Sequence, residues 1–357
     1  MAYSPPQVET STASAASPPR CHPEHPLAGA EVVPWPQALG RAIRSPELLC
    51  RVLGLPQDVP QARVAQAAQR FPLLVPWEYV RRMQPGRWDD PLLRQVWPAA
   101  EEDQPQVGFS ADPVADLAAR RAPGLLSKYP GRVLLLAATA CAVHCRYCFR
   151  REFPYGQEPK SLRQFRPALE RLAADASVQE VILSGGDPLV RPDAFLAQLV
   201  RQLEAIPHLR WLRVHTRLPV LIPQRVCPEL LRWLQGVRFR VTVVLHVNHA
   251  QELDEQVAQG CEQLCRAGAV LLNQAVLLRG VNDTVQAQED LCRRLVDCGV
   301  LPYYLHQLDR VQGAAHFEVP PEQGQELIEE LRRRLPGFAV PRYVQEEPGA
   351  EFKRPLA

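Results

Sequence analysis

From position 132 onward the chain alternates between short apolar runs and longer amphipathic stretches. RVLLLAA (132–138), EVILS (180–184), WLRVHT (211–216), RFRVTVVLH (238–246), AVLLNQAVLL (269–278) and LPYYLH (301–306) read as buried strands. They are too short for helices and too continuously apolar for strands with one wet face. Amphipathic stretches near 161–175, 191–205, 226–235, 250–267, 284–298 and 322–334 lie between and after them. Six strand-helix repeats in strict alternation predict an α/β fold with a parallel sheet and right-handed crossovers. Eight such units close a barrel, so six predict an incomplete (β/α)6 barrel, a partial TIM barrel. Its chemistry should gather at the carboxyl ends of the strands.

Ahead of that region the pattern differs. Residues 1–30 are largely Ser, Pro, Ala and Thr with little to pack and are expected to form a disordered tail. Short helix-like segments follow, including PQALGRAIRSPELLCRVLG and VAQAAQRF. Proline interrupts them repeatedly, and Trp35, Trp77, Trp88 and Trp97 accompany them. The expected organisation is a tail (1–30), a small helical N-terminal region (31–124), the (β/α)6 core (125–335) and a C-terminal segment (336–357).

Composition narrows the function class. With 46% hydrophobic residues the chain can bury a large core, and a net charge of +2 gives no broad basic footprint for nucleic acid. The longest apolar run, LLLAATACAV, is about half of what a membrane span needs, and the first residues lack the basic and apolar regions of a secretory signal. Ten cysteines in 357 residues are far fewer than in a disulfide-stapled scaffold. A cytoplasmic, reducing setting is expected, with thiols available as metal ligands.

Three of those thiols crowd into CAVHCRYC, residues 141–148, directly after the first core strand. A closed zinc site, a disulfide or simple packing could each account for clustered cysteines. A closed zinc site wants four ligands, however, and the nearest fourth candidate, His144, lies within the same tight turn. Cys261 and Cys265 stand four apart in an amphipathic pattern and read as helix packing. Three thiolates on a four-iron cluster would leave one iron open to a small molecule.

Cys141, Cys145 and Cys148 in this C-x3-C-x2-C arrangement resemble the signature loop of radical S-adenosylmethionine enzymes, whose open iron chelates the cofactor's amino and carboxylate groups. The end of the second core strand, EVILSGGDPLV, sets Ser184, Gly185, Gly186 and Asp187 in register with that loop. Glycine there permits close backbone approach, and Asp187 could accept from an ammonium. The element resembles the one that holds the methionine end of the cofactor in these enzymes. Further segments are similar to the lysine 2,3-aminomutase family: LLSKYPGRVLLL, CFRREF, LPVLIPQRV, HVNHAQELD, NQAVLLRGVNDT, PYYLHQLDRVQGAAHF and VPRYVQEEPGAEFK. Together they cover most of residues 125–353.

That resemblance implies a 4Fe-4S cluster, S-adenosylmethionine and pyridoxal 5'-phosphate (PLP). The chain has only three lysines, Lys128, Lys160 and Lys353, and Lys353 matches the family's Schiff-base lysine. Lys128, Tyr129, Arg132 and Gln274 match positions on the PLP phosphate, with lysine at 128 where the family usually has arginine. Arg150 matches the residue for the substrate carboxylate, while its neighbour Arg151 reads as a surface charge. Asp309 and Glu346 match the pair of acids for a lysine ε-ammonium. His246 matches a residue lining the nucleoside, and His144 and His249 read as structural.

The implied activity is that of an isomerase, an amino acid 2,3-aminomutase converting L-α-lysine to (R)-β-lysine. Glu346 in place of aspartate, Lys128, and an end only four residues after Lys353 look more like the bacterial branch that makes β-lysine for translation elongation factor P. The implied partners are a flavodoxin- or ferredoxin-type reductant and, functionally, an elongation factor P lysine ligase, with no nucleic acid and no membrane. A stand-alone aminomutase of another pathway, or a non-catalytic iron-sulfur or zinc-binding module, is the alternative.

Overall fold

The structure is a computed structural model that describes residues 32–56 and 61–357, with only the backbone of 61–65; the tail expected over 1–30 lies outside the described residues. Ten strands form one sheet in sequential order: β1 (Arg120–Ala122), β2 (Leu125–Leu126), β3 (Arg132–Ala138), β4 (Glu180–Gly185), β5 (Trp211–Thr216), β6 (Arg240–His246), β7 (Val270–Val276), β8 (Leu301–His306), β9 (Arg342–Gln345) and β10 (Arg354–Pro355). β3 to β9 pair in parallel, and the outer pairs, β1–β2, β2–β3 and β9–β10, are antiparallel. The sheet does not close, because β1 and β10 end the order without pairing. The six core strands stand where the hydrophobic runs predict them. β9 adds a seventh parallel strand, and short hairpins extend both ends; strands of two to four residues carry too little periodicity to be read from sequence.

Burial alternates along the core strands because one face meets the helices and the other lines the concave interior. In β5, Leu212, Val214 and Thr216 are buried while Arg213 and His215 alternate with them; in β7, Leu271, Asn273 and Ala275 are buried while Leu272, Gln274 and Val276 alternate. Helices Arg166–Ala174, Asp193–Glu204, Pro228–Gly236, Glu255–Arg266, Val285–Asp297 and Pro321–Arg334 cover the outer face. Local chemistry starts several of them. Asp254 accepts from Val257 N at 2.9 Å, Thr284 accepts from Ala287 N at 3.2 Å, and prolines open the helices at 228 and 321.

The helical N-terminal region shares the core of the barrel, which runs continuously from Val33 to Tyr343. It also grips the back of the cysteine loop. His144 N donates to Leu74 O at 3.0 Å and Arg146 N to Gln95 O at 2.9 Å. Arg146, fully buried, forms charge-assisted bonds from Nε and Nη2 to Glu102 and lies over the Phe71 ring. Arg151, expected at the surface, is buried beside it and pairs with the same Glu102 at 2.8 Å. The sequence shows an arginine run, but only tertiary packing brings a carboxylate from 49 residues away to neutralise it.

Candidate active site

The cysteine loop leaves the carboxyl end of β3 and runs beneath the end of β4. Gly186 N donates to Ala138 O at 2.9 Å and Asp187 N to Ala140 O at 2.8 Å, so the two segments lie backbone against backbone. Side chains at 185 or 186 would collide with the carbonyl oxygens of Ala138 and Ala140, and Gly185 has φ of 125°. The glycine pair therefore serves first to press β4 onto the cysteine loop. Gly186→Ala is expected to lower stability by about 1–3 kcal/mol through this overpacking, read as a lower urea midpoint with unchanged slope.

Asp187, expected to accept from a cofactor ammonium, is engaged by the protein itself. Its carboxylate accepts from Leu189 N, Thr216 Oγ1, Arg217 N and Leu218 N at 2.7–3.0 Å. The donors reach both oxygens, so Asp187 fastens the end of β4 to the end of β5. Burial raises its carboxyl above the ordinary range, opposed by those same donors.

Among the described residues all nine cysteines are free, and Cys141, Cys145 and Cys148 are part-exposed at the mouth of the fold. Burial pushes the Cys148 thiol up to about 11 and the Cys141 thiol well above its ordinary range, and the neighbouring cysteines add to both. No three His, Cys, Asp or Glu side chains among the described residues converge as ligands of a single ion. A cluster corner asks for something different, since each thiolate ligates its own iron. Three part-exposed thiols on one loop, none in a disulfide and near enough for their charges to raise Cys141 and Cys148, suit that geometry. Around them stand donors and acceptors of the kind an amino acid and a nucleoside require. Ser184 Oγ lies 3.3 Å from Arg150 Nη1, Gly185 O accepts from Tyr155 Oη at 2.6 Å, and His246 Nε2 lies 2.8 Å from Tyr147 Oη. Burial lowers His246 to about 3, so its ring is neutral.

A second group of residues crosses the open side of the sheet. The β9–β10 hairpin pairs Arg354 with Gln345, and the same register, carried one step into the turn, sets Lys353 opposite Glu346. Lys353 Nζ donates to Glu346 Oε2. On the other oxygen Glu346 accepts from Lys128 Nζ at 3.1 Å, and Lys128 pairs in turn with Asp116 at 2.7 Å. Asp116 then bonds Arg150 Nε at 2.5 Å. An unbroken chain of alternating charges, Lys353, Glu346, Lys128, Asp116 and Arg150, thus joins the C-terminal hairpin to the cysteine loop. Desolvation opposes a charge on Glu346, yet the two ammonium groups outweigh it and hold the carboxyl down at about 2. At Asp309 the same two ammonium groups pull the carboxyl down but do not prevail: burial, then the Glu346 charge, push it up to about 7.

These positions bear on the expected roles. Lys128, read as a phosphate ligand, sits between two carboxylates, and that surrounding disfavours an anion. Arg132, which opens β3, has no acidic partner among the described residues and lies 4.8 Å from the Tyr129 ring centre. Burial and the Glu346 charge raise the Tyr129 hydroxyl above its ordinary range. Gln274 lies on the concave face, in register between His246 and Tyr304. Arg150 is buried, and its Nη2 carries no hydrogen bond among the described residues, which leaves it a donor for a carboxylate.

Four participants escape the sequence reading: Asp116, Arg217, His215 and His306. His215, on β5, keeps Nε2 without a hydrogen-bond partner in the interior, and burial lowers it well below its ordinary range. His306, at the end of β8, falls to about 3, through burial and then the Lys353 charge. An orphaned neutral imidazole near an amine is what a polar, aldehyde-bearing cofactor would complete, so the residues fit PLP. Only Arg217 and the two histidines had a signal in the sequence, their place at or just past strand ends. Asp116, in a turn, had none.

Comparison with known proteins bears on the same residues. Residues 136–291 match the model of the Radical SAM superfamily. Over 90% of its length the chain is 43% identical to the L-lysine 2,3-aminomutase of Escherichia coli (strain K12), covering 94% of that protein. It is 42% identical to the Haemophilus influenzae enzyme of the same name, covering 94% of it, and 35% identical to that of Clostridium subterminale, covering 77%. Both matched regions include the cysteine loop, and the long alignments extend over nine tenths of the chain, so the shared architecture is that of the whole protein: the chain belongs to the lysine 2,3-aminomutase family of radical S-adenosylmethionine enzymes.

Proposed function

We propose that the protein is an isomerase that converts L-α-lysine to (R)-β-lysine, using a 4Fe-4S cluster, S-adenosylmethionine and PLP. The observation that carries this reading is the charge chain from Lys353 to Arg150, which sets two amines, two carboxylates and a guanidinium around one mouth beside three free thiols. When bound, the cluster and S-adenosylmethionine supply a primary carbon radical, and PLP supplies an aldehyde that carries the migrating nitrogen.

The protein's own residues do the rest. Cys141, Cys145 and Cys148 would hold three irons, and Lys353 would anchor the PLP aldehyde. Arg132 and Gln274 would serve its phosphate, with Tyr129 beside them. Ser184, the backbone at Gly185 and Gly186, and His246 would border S-adenosylmethionine. Arg150 would take the substrate carboxylate through its open Nη2, while Asp116 fixes the guanidinium plane. Asp309 and Glu346 would face the ε-ammonium, but in unequal roles. Glu346 already has two ammonium partners, whereas Asp309, raised to about 7, is only partly charged near neutral pH and a substrate cation would favour its ionised form.

That inequality gives a pH dependence. Asp309, raised to about 7, is neutral below that pH and cannot pair with the substrate cation. The KM for lysine should therefore rise as pH falls through 7, while kcat changes little. Asp309→Asn should remove the dependence and cost about 2–5 kcal/mol in kcat/KM. A wild-type KM that is flat from about pH 6 to 8 would place side-chain recognition elsewhere.

Lysine in place of another amino acid, and the (R) product, are tested by anaerobic incubation of reconstituted protein with S-adenosylmethionine, PLP, a reductant and labelled lysine. Chiral analysis of the product follows. We assign the product to translation elongation factor P on the strength of Glu346, Lys128 and the CRYCFRR and LDRVQGAAHF segments. Transfer of label to that factor by its lysine ligase, dependent on this protein, is the expected result. A flavodoxin- or ferredoxin-type donor and a cytoplasmic setting complete the reading. No described helix is long and apolar enough to cross a membrane.

A further inference from the structure

Arg217, just past the end of β5, is buried with 5% of its surface exposed. Its Nη1 donates to Cys145 Sγ at 2.8 Å and to Tyr147 Oη at 2.9 Å. Its Nη2 donates to Gln95 Oε1 at 2.6 Å, Glu252 Oε2 at 2.9 Å and Tyr79 Oη at 3.0 Å. Arg217 N is tied to Asp187, and the guanidinium lies 5.3 Å from the Tyr79 ring centre. Glu252 has no exposed surface and is held in turn by the backbone of Asn248 and by Gln95. The guanidinium is therefore fixed by Tyr79, Gln95 and Glu252, from three segments outside the cysteine loop, whatever the cysteines bind.

We propose that Arg217 sets the reduction potential of the cluster through its bond to Cys145, which rests on the reading of the three cysteines as cluster ligands. Each added electron makes a cluster more negative, and a fixed cation with N–H donors on a ligand sulfur favours the reduced form. Of the three thiols, Cys145 alone accepts a bond from a charged donor among the described residues. The effect is consequently local to one corner. Glu252 balances the buried charge of Arg217 without touching the sulfur, so the cation can stay in a dry site and still act on Cys145. Arg217 is a positioning and tuning residue in this account, distinct from the ligands.

The test is a mediated spectroelectrochemical titration of anaerobically reconstituted full-length protein, with iron and sulfide counted first. Arg217→Met should bind the same iron but show a more negative midpoint. At a fixed potential its oxidised-to-reduced ratio should rise at least tenfold, which corresponds to 59 mV for one electron. Arg217→Lys keeps the charge but loses the fork, so its midpoint should fall between the two. Should the methionine variant fail to fold, the lysine variant decides, because a purely structural arginine would leave the midpoint of any cluster-bearing variant unmoved. A wild-type midpoint in both loaded variants, or in the lysine variant alone, overturns the proposal. Absence of a cluster from the wild-type protein would instead overturn the cysteine assignment on which it rests.

Discussion

Replacing any one of Cys141, Cys145 and Cys148 with alanine is expected to abolish both cluster binding and reductive cleavage of S-adenosylmethionine. The loop has no spare thiol to substitute. Cys261, Cys292 and Cys298 are buried between the outer helices and the sheet, and Cys265 is exposed on the same helix as Cys261. Each lost ligand also leaves an iron that two remaining thiolates cannot retain against solvent, because metal binding and local order are coupled. Iron and sulfide content, together with the visible absorbance of the reconstituted protein, measure the first effect; release of 5'-deoxyadenosine measures the second. Cys261→Ala is the control: a buried thiol lost from a helix interface lowers stability modestly and should leave both readouts intact. Full iron content and cleavage in any one of the three loop variants would remove that cysteine from the ligand set.

Lys353→Ala should lose aminomutase activity by on the order of 10³-fold to 10⁶-fold, the range seen when a group that forms a covalent bond is removed. Cluster content should be unchanged, because the cysteine loop and the C-terminal hairpin use separate residues. Borohydride treatment of wild-type protein with PLP should fix a pyridoxyl label on the peptide containing Lys353. The structure adds a complication, since Lys353 also neutralises Glu346. Lys353→Arg separates the two roles: it keeps a cation opposite Glu346 and removes the primary amine, and it should be as inactive as the alanine variant. A label on Lys128 or Lys160, or substantial turnover by either variant, would overturn the assignment. By the same geometry Glu346→Gln should disturb Lys353, the proposed Schiff-base lysine, as well as the proposed substrate contact, so its losses should exceed those of Asp309→Asn.

The parts of this protein legible in its sequence are those encoded locally. Six apolar runs alternating with amphipathic stretches fix the core strands and helices, because strand and helix periods are properties of neighbouring residues. The cysteine spacing likewise marks a ligand loop, and Lys353 stands out through the scarcity of lysine. What only the tertiary structure decided is which charges meet. Asp116 lies in an unremarked turn, yet it joins Lys128 to Arg150; Arg151, one position from a proposed substrate ligand, is buried on Glu102 instead. Asp187, placed by motif beside a ligand, is consumed in fastening two strands, and Lys128 faces carboxylates rather than open solvent. These outcomes depend on partners from 12 to 218 residues away, brought together when the sheet curls and its two ends approach. Pairing at that separation leaves no periodic trace in the chain, whereas in the folded protein it fixes which groups are charged and which remain free for a ligand.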